Sequence, residues 1–263
     1  MSDFIVGDNV LQSRLVLGTA RFPSPIALLE AIAASGSGMV TAALRRQSPE
    51  GGAGKAFWDL LNESGAQVLP NTAGCRTAKE AITTAQMARE IFNTNRIKLE
   101  VIGDDYTLEP EPVGLVEAAR VLVNEGFEVW PYTTEDIGLA RDLLDAGCCV
   151  VMPWAAPIGS GQGLINLNGL LALRESLADV PLIVDAGLGK PSEAARVMEV
   201  GYDGALINSA IALATDPVCM ATAFAGAVEA GRAGFEAGLM NTRQTARPST
   251  PTLGTPFWHQ EAP

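Results

Sequence analysis

"PLIVDAGLGKPSEAARVMEVGYDGALIN", residues 181–208, carries one complete unit of fold. PLIVDAG (181–187) is short, apolar and rich in branched residues, as suits a buried strand. Gly187 and Gly189 break it, and Pro191 opens PSEAARVMEVG, a helical pattern closing on Gly201. GALIN (204–208) is a second buried strand. Two apolar strands joined through a helix run parallel.

The same alternation extends back through the chain. RLVLG (14–18), GMVTAAL (38–44), AQVLP (66–70), RIKLEVI (96–102), FEVWP (127–131) and CCVVMP (148–153) read as strands, and with the two above they make eight. Between them lie helical patterns. SPIALLEAIAASG has Pro25 near its start and Gly36 after its end, and TAKEAITTAQMAREIF opens on Thr77 with Glu80 three residues later, a capping-box pattern. EDIGLARDLLDAG and DPVCMATAFAGAVEAG also close on glycine. Strand-then-helix repeated eight times predicts an α/β fold, a (β/α)8 TIM barrel forming a single domain over residues 1–245. An open doubly wound sheet could hold the same strands. The Pro- and Thr-rich tail, 246–263, is either an ordered strap or disordered.

The 263 residues are 48% apolar, enough for one large core. A net charge of −12 argues against nucleic acid, whose phosphates need a positive surface, but leaves room for a small phosphate site built from backbone N–H groups. No run approaches a membrane span and the N-terminus has no secretory pattern, so a cytoplasmic protein is expected. Cys75, Cys148, Cys149 and Cys219 form no metal or redox spacing; the adjacent pair in CCVVM reads as core thiols, and no metal or cofactor is expected.

Lys98 interrupts the strand RIKLEVI. Side chains alternate along a strand, so Ile97, Leu99 and Val101 facing the helices would turn Lys98, Glu100 and Ile102 toward the barrel axis. Desolvation there lowers an amine's pKa and a nearby carboxylate raises it; the balance decides whether the amine is a nucleophile. A buried ion pair that only fills the barrel is the alternative. Asp185, at the C-terminal end of its strand, stands where barrel chemistry occurs, unless it merely caps a turn. Gly187, Gly189, Asn208 and Ser209 lie in the loops after strands seven and eight, the usual phosphate cradle of this fold. In MPWAAPIGSGQGLIN (152–166), Gly159, Gly161 and Gly163 suggest a lid or ligand-contacting turn, or simply a flexible connection.

Taken together, PNTAGCRTAKEA, IKLEVIGD, GFEVWPY, VVMPWAAPIGSGQG, IVDAGLGKPSEAA and GALINSAIA resemble the ThiG family of bacterial thiazole synthases in thiamine biosynthesis, from about residue 4 to the PSTP at 248–251. The resemblance implies a homotetrameric (β/α)8 transferase. It would make the thiazole phosphate of thiamine from 1-deoxy-D-xylulose 5-phosphate, dehydroglycine delivered by a separate enzyme, and sulfur from the thiocarboxylate of the carrier protein ThiS. It makes Lys98 the imine-forming lysine and Glu100 and Asp185 the acid/base carboxylates. Sugar-phosphate contacts fall on Gly159, Ala186, Gly187, Asn208 and Ser209. The family's usual threonine is Ser209 here, its GTGKY or GTGKF is GTARF with Ala20 and Arg21, and its MPLGAPIG is MPWAAPIG with Trp154 and Ala155. Another imine-forming barrel enzyme, aldolase-like and acting on a different sugar phosphate, is the alternative. The loop PEGGAGK (49–55) is either a docking site for the carrier or a plain exposed loop, and the lone His259 leaves proton transfer in the barrel to carboxylates.

Overall fold

The structure is a computed structural model that describes residues 4–7, 9–44 and 52–247, without the side chains of Asn9 and residues 52–56. A short antiparallel hairpin comes first, β1 (Phe4–Val6) with β2 (Asn9–Leu11). The eight expected strands follow as β3 (Leu15–Gly18), β4 (Met39–Ala43), β5 (Gln67–Asn71), β6 (Arg96–Leu99), β7 (Glu128–Thr133), β8 (Met152–Pro153), β9 (Ile183–Asp185) and β10 (Gly204–Ile207). Six helices come between β3 and β9: α1 (Pro25–Ser35), α2 (Gly52–Glu63), α3 (Ala78–Phe92), α4 (Pro112–Asn124), α5 (Ile137–Asp145) and α6 (Leu167–Ser176). After β9 comes α7 (Pro191–Glu199), and after β10 come the single turn α8 (Ser209–Ala212) and the long α9 (Pro217–Ala237).

The eight strands pair in parallel in the order β8-β7-β6-β5-β4-β3-β10-β9. The two ends of that order, β8 and β9, meet through isolated parallel bridges, Val151 to Leu182 and Trp154 to Asp185. The sheet is therefore rolled into a near-closed barrel with a seam, rather than the fully laddered cylinder expected. The reason lies in β8. It shrinks from the expected six residues to Met152–Pro153, with Cys148–Val151 outside the strand and Val151 making only an isolated bridge to Leu182. Single backbone bonds hold the seam, Val151 N to Pro181 O at 3.1 Å, Ile183 N to Val151 O at 3.1 Å and Ala155 N to Ala186 O at 3.2 Å.

Alternation sorts the side chains as the sequence implies. Ile97, Leu99 and Val101 pack outward on Ala81 and Ala85 of α3 and on Leu115 and Leu122 of α4. Inside the barrel, Val16, Met39, Leu69, Trp130, Met152, Ile183 and Leu206 share one cluster with Phe4, Val6 and Leu11 of the hairpin. The Phe4 ring also approaches Gly204, at the start of β10, so the hairpin covers the N-terminal end of the barrel. Three-residue strands carry too little periodicity to announce this plug in advance.

Local signals explain most boundaries. Ser24 and Thr77 accept from Ala27 N and Glu80 N to start α1 and α3, and Gly36 ends α1 in the left-handed region at φ 60°. Two expectations need correction. Gly231 does not end α9, which runs on to Ala237; a Cβ there would stand 2.3 Å from Ala195 O, so this glycine lets α9 lie against α7. Cys148 is buried but Cys149 is exposed, because the CCVV stretch alternates faces before the barrel strand begins.

Candidate active site

Strands β6 and β9 bring three ionisable side chains to one point. Lys98 is the third residue of β6, Glu100 lies just beyond its end, and Asp185 ends β9. Lys98 Nζ stands 2.5 Å from Asp185 Oδ2 and 3.2 Å from Glu100 Oε1. All three are buried, at 6%, 5% and 3% exposure, so water screens the group very little. Among the described residues Asp185 Oδ2 has no hydrogen bond of good geometry and faces the Lys98 ammonium.

Burial is the largest single influence on Lys98 and lowers its pKa, but Asp185 and Glu100 together more than reverse it, so the pKa ends above the ordinary lysine value. The resting amine is an ammonium ion. It must hand a proton to a neighbouring carboxylate before it can attack anything.

Two residues unmarked in the sequence complete the cluster. Thr72, fully buried after β5, uses one hydroxyl in both directions: it accepts from Glu100 N at 2.7 Å and donates to Glu100 O at 2.8 Å. The backbone beneath the carboxylate is thereby fixed. Tyr132 in β7 places its ring centroid 5.7 Å from Lys98 Nζ. Burial, then the charges of Asp185 and Glu100, push its hydroxyl far above the usual tyrosine range, so it stays protonated. Strand alternation from Trp130 would have put Tyr132 on the inner face; Thr72 gives no such signal.

Lys98, Glu100 and Asp185 form the floor of a cavity of about 770 Å3 at the C-terminal ends of the strands, with Thr72 and Tyr132 packed behind them. Gly159, Ala186, Gly187, Gly189, Asn208 and Ser209 all line it as well, so the residues singled out from sequence converge on one space. Ala186 and Gly187 both lie in the left-handed region, at φ 67° and 83°. A Cβ on Gly187 would stand 2.4 Å from Ala156 N, and one on Gly189 would stand 2.6 Å from Gly161 O. The loops after β8 and β9 thus pack backbone on backbone, tied by Gly163 N to Gly187 O at 2.9 Å. That packing makes Gly159, Ser160 and Gly161 part of the wall of the cavity. The Asn208 amide, turned to suit its neighbours, donates to Gly18 O at 3.1 Å and Ala20 O at 2.8 Å, joining the ends of β10 and β3.

Trp154 is buried beside Ile102 and Tyr132, and its Nε1 donates to Glu135 Oε2 at 2.7 Å. Asn166 Nδ2 donates to the other oxygen of Glu135 at 2.6 Å. The bulky indole is therefore accommodated by a fixed carboxylate outside the cavity. Of the loop 49–55, residues 49–51 lie outside the described residues and Gly52 begins α2; His259 and the tail from 248 also lie outside. Among the described residues no group of three or more His, Cys, Asp or Glu is placed to hold a metal ion, and no helix is long and apolar enough to cross a membrane.

Residues 5–251 match the family described as thiazole biosynthesis protein ThiG. The chain belongs to the ThiG family. It is 59% identical over 252 residues to the thiazole synthase of Bradyrhizobium sp. (strain ORS 278), covering 96% of this chain and 97% of that one. It is 60% identical over 249 residues to the thiazole synthase of Burkholderia thailandensis, covering 95% and 92%. Among solved structures it is similar to a chain of the Amycolatopsis orientalis BexX/CysO complex, with a TM-score of 0.83 and 28% identity over 93% of this chain and all of that one. Membership of the ThiG family extends over the barrel and both carboxylate-bearing strands, and includes the departures at Ala20, Arg21, Trp154 and Ala155.

Proposed function

We propose that this ThiG-family chain is a thiazole synthase that forms thiazole phosphate through an imine on Lys98. The observation that carries the reading is the Lys98 amine held between two buried carboxylates on the floor of a cavity large enough for a sugar phosphate. Asp185, at 2.5 Å, takes a proton from the ammonium. The free amine adds to the C2 ketone of 1-deoxy-D-xylulose 5-phosphate, and the carbinolamine loses water to give an iminium ion. The iminium withdraws electrons from C3, so its proton is more easily removed. Glu100 and Asp185 carry protons as the carbonyl character moves along the chain, work typically worth about 10²–10⁴-fold in rate.

The phosphate end of the sugar fits the wall formed by Gly159, Ala186 with Gly187 and Gly189, and Asn208 with Ser209. Glycines there let backbone approach a ligand closely, and the loops after the last two barrel strands are where this fold holds phosphate. Ser209 keeps the hydroxyl that threonine supplies elsewhere in the family.

Sulfur arrives in this reading as the C-terminal thiocarboxylate of a small carrier protein of the ThiS kind. The relative solved as a BexX/CysO complex supports a protein partner. Dehydroglycine contributes nitrogen and two carbons: its nitrogen displaces the Lys98 amine from C2, the carrier departs as its free carboxylate, and the ring closes with loss of water. Self-assembly as a homotetramer, a single catalytic barrel over 1–245 and a cytoplasmic setting complete the reading, which requires no bound cofactor.

Borohydride reduction in the presence of 1-deoxy-D-xylulose 5-phosphate tests it. One sugar phosphate should become covalently attached at Lys98, and none in Lys98→Ala. Trapping at any other residue, or undiminished trapping in the variant, refutes the reading.

A further inference from the structure

The floor of the cavity and its phosphate-facing wall leave one cation unused. Among the described residues lining the cavity, Lys98 and Arg76 carry the positive side chains. Lys98 is neutralised between two buried carboxylates. Arg76 is half-exposed at the mouth and pairs with Asp105, which is more exposed still. A surface pair of this kind contributes little to stability, so a better-placed anion can displace Asp105.

The segment that carries Arg76 is built onto the reacting strand residue by residue. Thr72 N donates to Lys98 O at 3.1 Å, the Thr72 hydroxyl bonds both backbone groups of Glu100, and Ile102 N donates to Cys75 O at 2.8 Å. Arg76 N is then fixed by Glu80 Oε2 at 2.8 Å. The half-exposed guanidinium thus rises from a backbone braced on β6 and lines the cavity.

Its bearing around the barrel is equally definite. Arg76 follows β5. β5 and β9 are separated by β4, β3 and β10 on one side and by β6, β7 and β8 on the other. The Ala186–Gly187 wall that follows β9 is therefore diametrically opposite Arg76. Lys98 Nζ lies 2.5 Å from Asp185, on the side of that wall, so a sugar phosphate bonded to Lys98 and anchored at Ala186–Gly187 would leave the side lined by Arg76 open. The space beside Arg76 is left for the reactant that arrives second.

We propose that Arg76 is the receptor for the carboxylate of the second small substrate, an α-imino acid, and that Asp105 occupies the guanidinium until that substrate arrives. Planar guanidinium matches a carboxylate through two parallel N–H···O bonds, which a lysine at the same place does not reproduce. The imine nitrogen and α-carbon of a substrate held this way face inward, toward the sugar chain on Lys98. Asp105 holds the arginine extended over the mouth in the meantime.

The inference rests on the thiazole synthase reading, and its test is arranged so that the two fail separately. Glyoxylate with ammonium generates the imino acid in solution. With that mixture, 1-deoxy-D-xylulose 5-phosphate and thiocarboxylated carrier, Arg76→Gln should raise the apparent KM for glyoxylate about 10–100-fold, the loss expected for one charge-assisted contact. Arg76→Lys should recover only part of it. Asp105→Asn should lower the same KM by up to about 5-fold, since it removes the competitor. Borohydride trapping of the sugar phosphate at Lys98 and the KM for the carrier should be unchanged in all three. Failure of trapping in the unaltered protein overturns the thiazole synthase reading. An unchanged glyoxylate KM in Arg76→Gln overturns this inference alone. So does a rise in the carrier KM instead, which would assign Arg76 to the carrier's terminal thiocarboxylate.

Discussion

The Lys98 ammonium and the Asp185 carboxylate meet 2.5 Å apart inside the barrel, although β6 and β9 are not neighbours in the sheet. The contact exists because the sheet rolls up and points both side chains at the axis. A desolvated amine and a desolvated acid in contact make a proton relay as well as an ion pair.

Asp185→Asn removes one of the two charges that raise the Lys98 pKa, while burial, the largest opposing influence, remains. The lysine pKa should fall. Imine trapping with the sugar phosphate, followed against pH, should then rise at lower pH than in the unaltered protein, whereas complete turnover should drop by about 10²-fold or more for want of a proton carrier. The stability contribution has the sign of a raised lysine pKa: it is fully present below the unfolded lysine value and is lost as pH climbs through the folded one. Asp185→Asn should therefore flatten the alkaline limb of a stability-against-pH curve. A trapping profile that moves to higher pH would contradict this account of the amine.

Thr72→Val keeps the shape of the side chain and deletes both bonds to the Glu100 backbone. Glu100 N is left buried without that partner, at a cost of about 1–3 kcal/mol. Calorimetry should show a lower Tm, and turnover should fall further than stability alone explains because the carboxylate loses its fixed base. Thr72→Ser should restore both.

Gly187→Ala meets two obstacles at once, a φ of 83° and a new Cβ about 2.4 Å from Ala156 N. The loop must shift away from the cavity. Affinity for 1-deoxy-D-xylulose 5-phosphate, read by calorimetric titration, should weaken by more than about 10-fold, and the effect should spread to the Gly163–Gly187 hydrogen bond. Tight binding in this variant would remove the loop from the phosphate site.

Two glycines of α9 should respond with opposite signs. Gly231→Ala drives a Cβ to within 2.3 Å of Ala195 O on α7 and should cost about 1–3 kcal/mol by overpacking. Gly226→Ala meets nothing within 4 Å and should stabilise by about 0.5–1 kcal/mol through helix propensity. Thermal melts of the two single variants decide the matter.

Periodicity was enough to find every barrel strand, because each is a short apolar run that a glycine or proline interrupts. The inward turn of Lys98 and Glu100 follows from the same two-residue repeat, and Asp185 from its place at a strand end. What stayed hidden depends on packing between distant segments. At β8 the apolar run CCVVMP reads as a six-residue strand, but Cys148–Val151 lie outside it and only isolated bridges join this part of the chain to β9. The N-terminal hairpin is too short to show a repeat. Thr72 resembles any other loop threonine until β5 and β6 are laid side by side, and Gly231 looks like a helix terminus until α7 is set against it. The cavity wall was legible as glycines in loops, but the reason those glycines are required, backbone stacked on backbone, appears only in three dimensions.

The hairpin of Phe4–Val6 and Asn9–Leu11 stops the barrel at its N-terminal end. Among the described residues, the cavity therefore takes the opposite end of the barrel as its doorway. Reactants queue at the same opening through which the finished ring departs, and whatever enters last blocks the exit of whatever entered first. An enzyme of this shape has its order of events imposed by traffic: the molecule bound deepest must arrive first, and it stays until the chemistry above it is done.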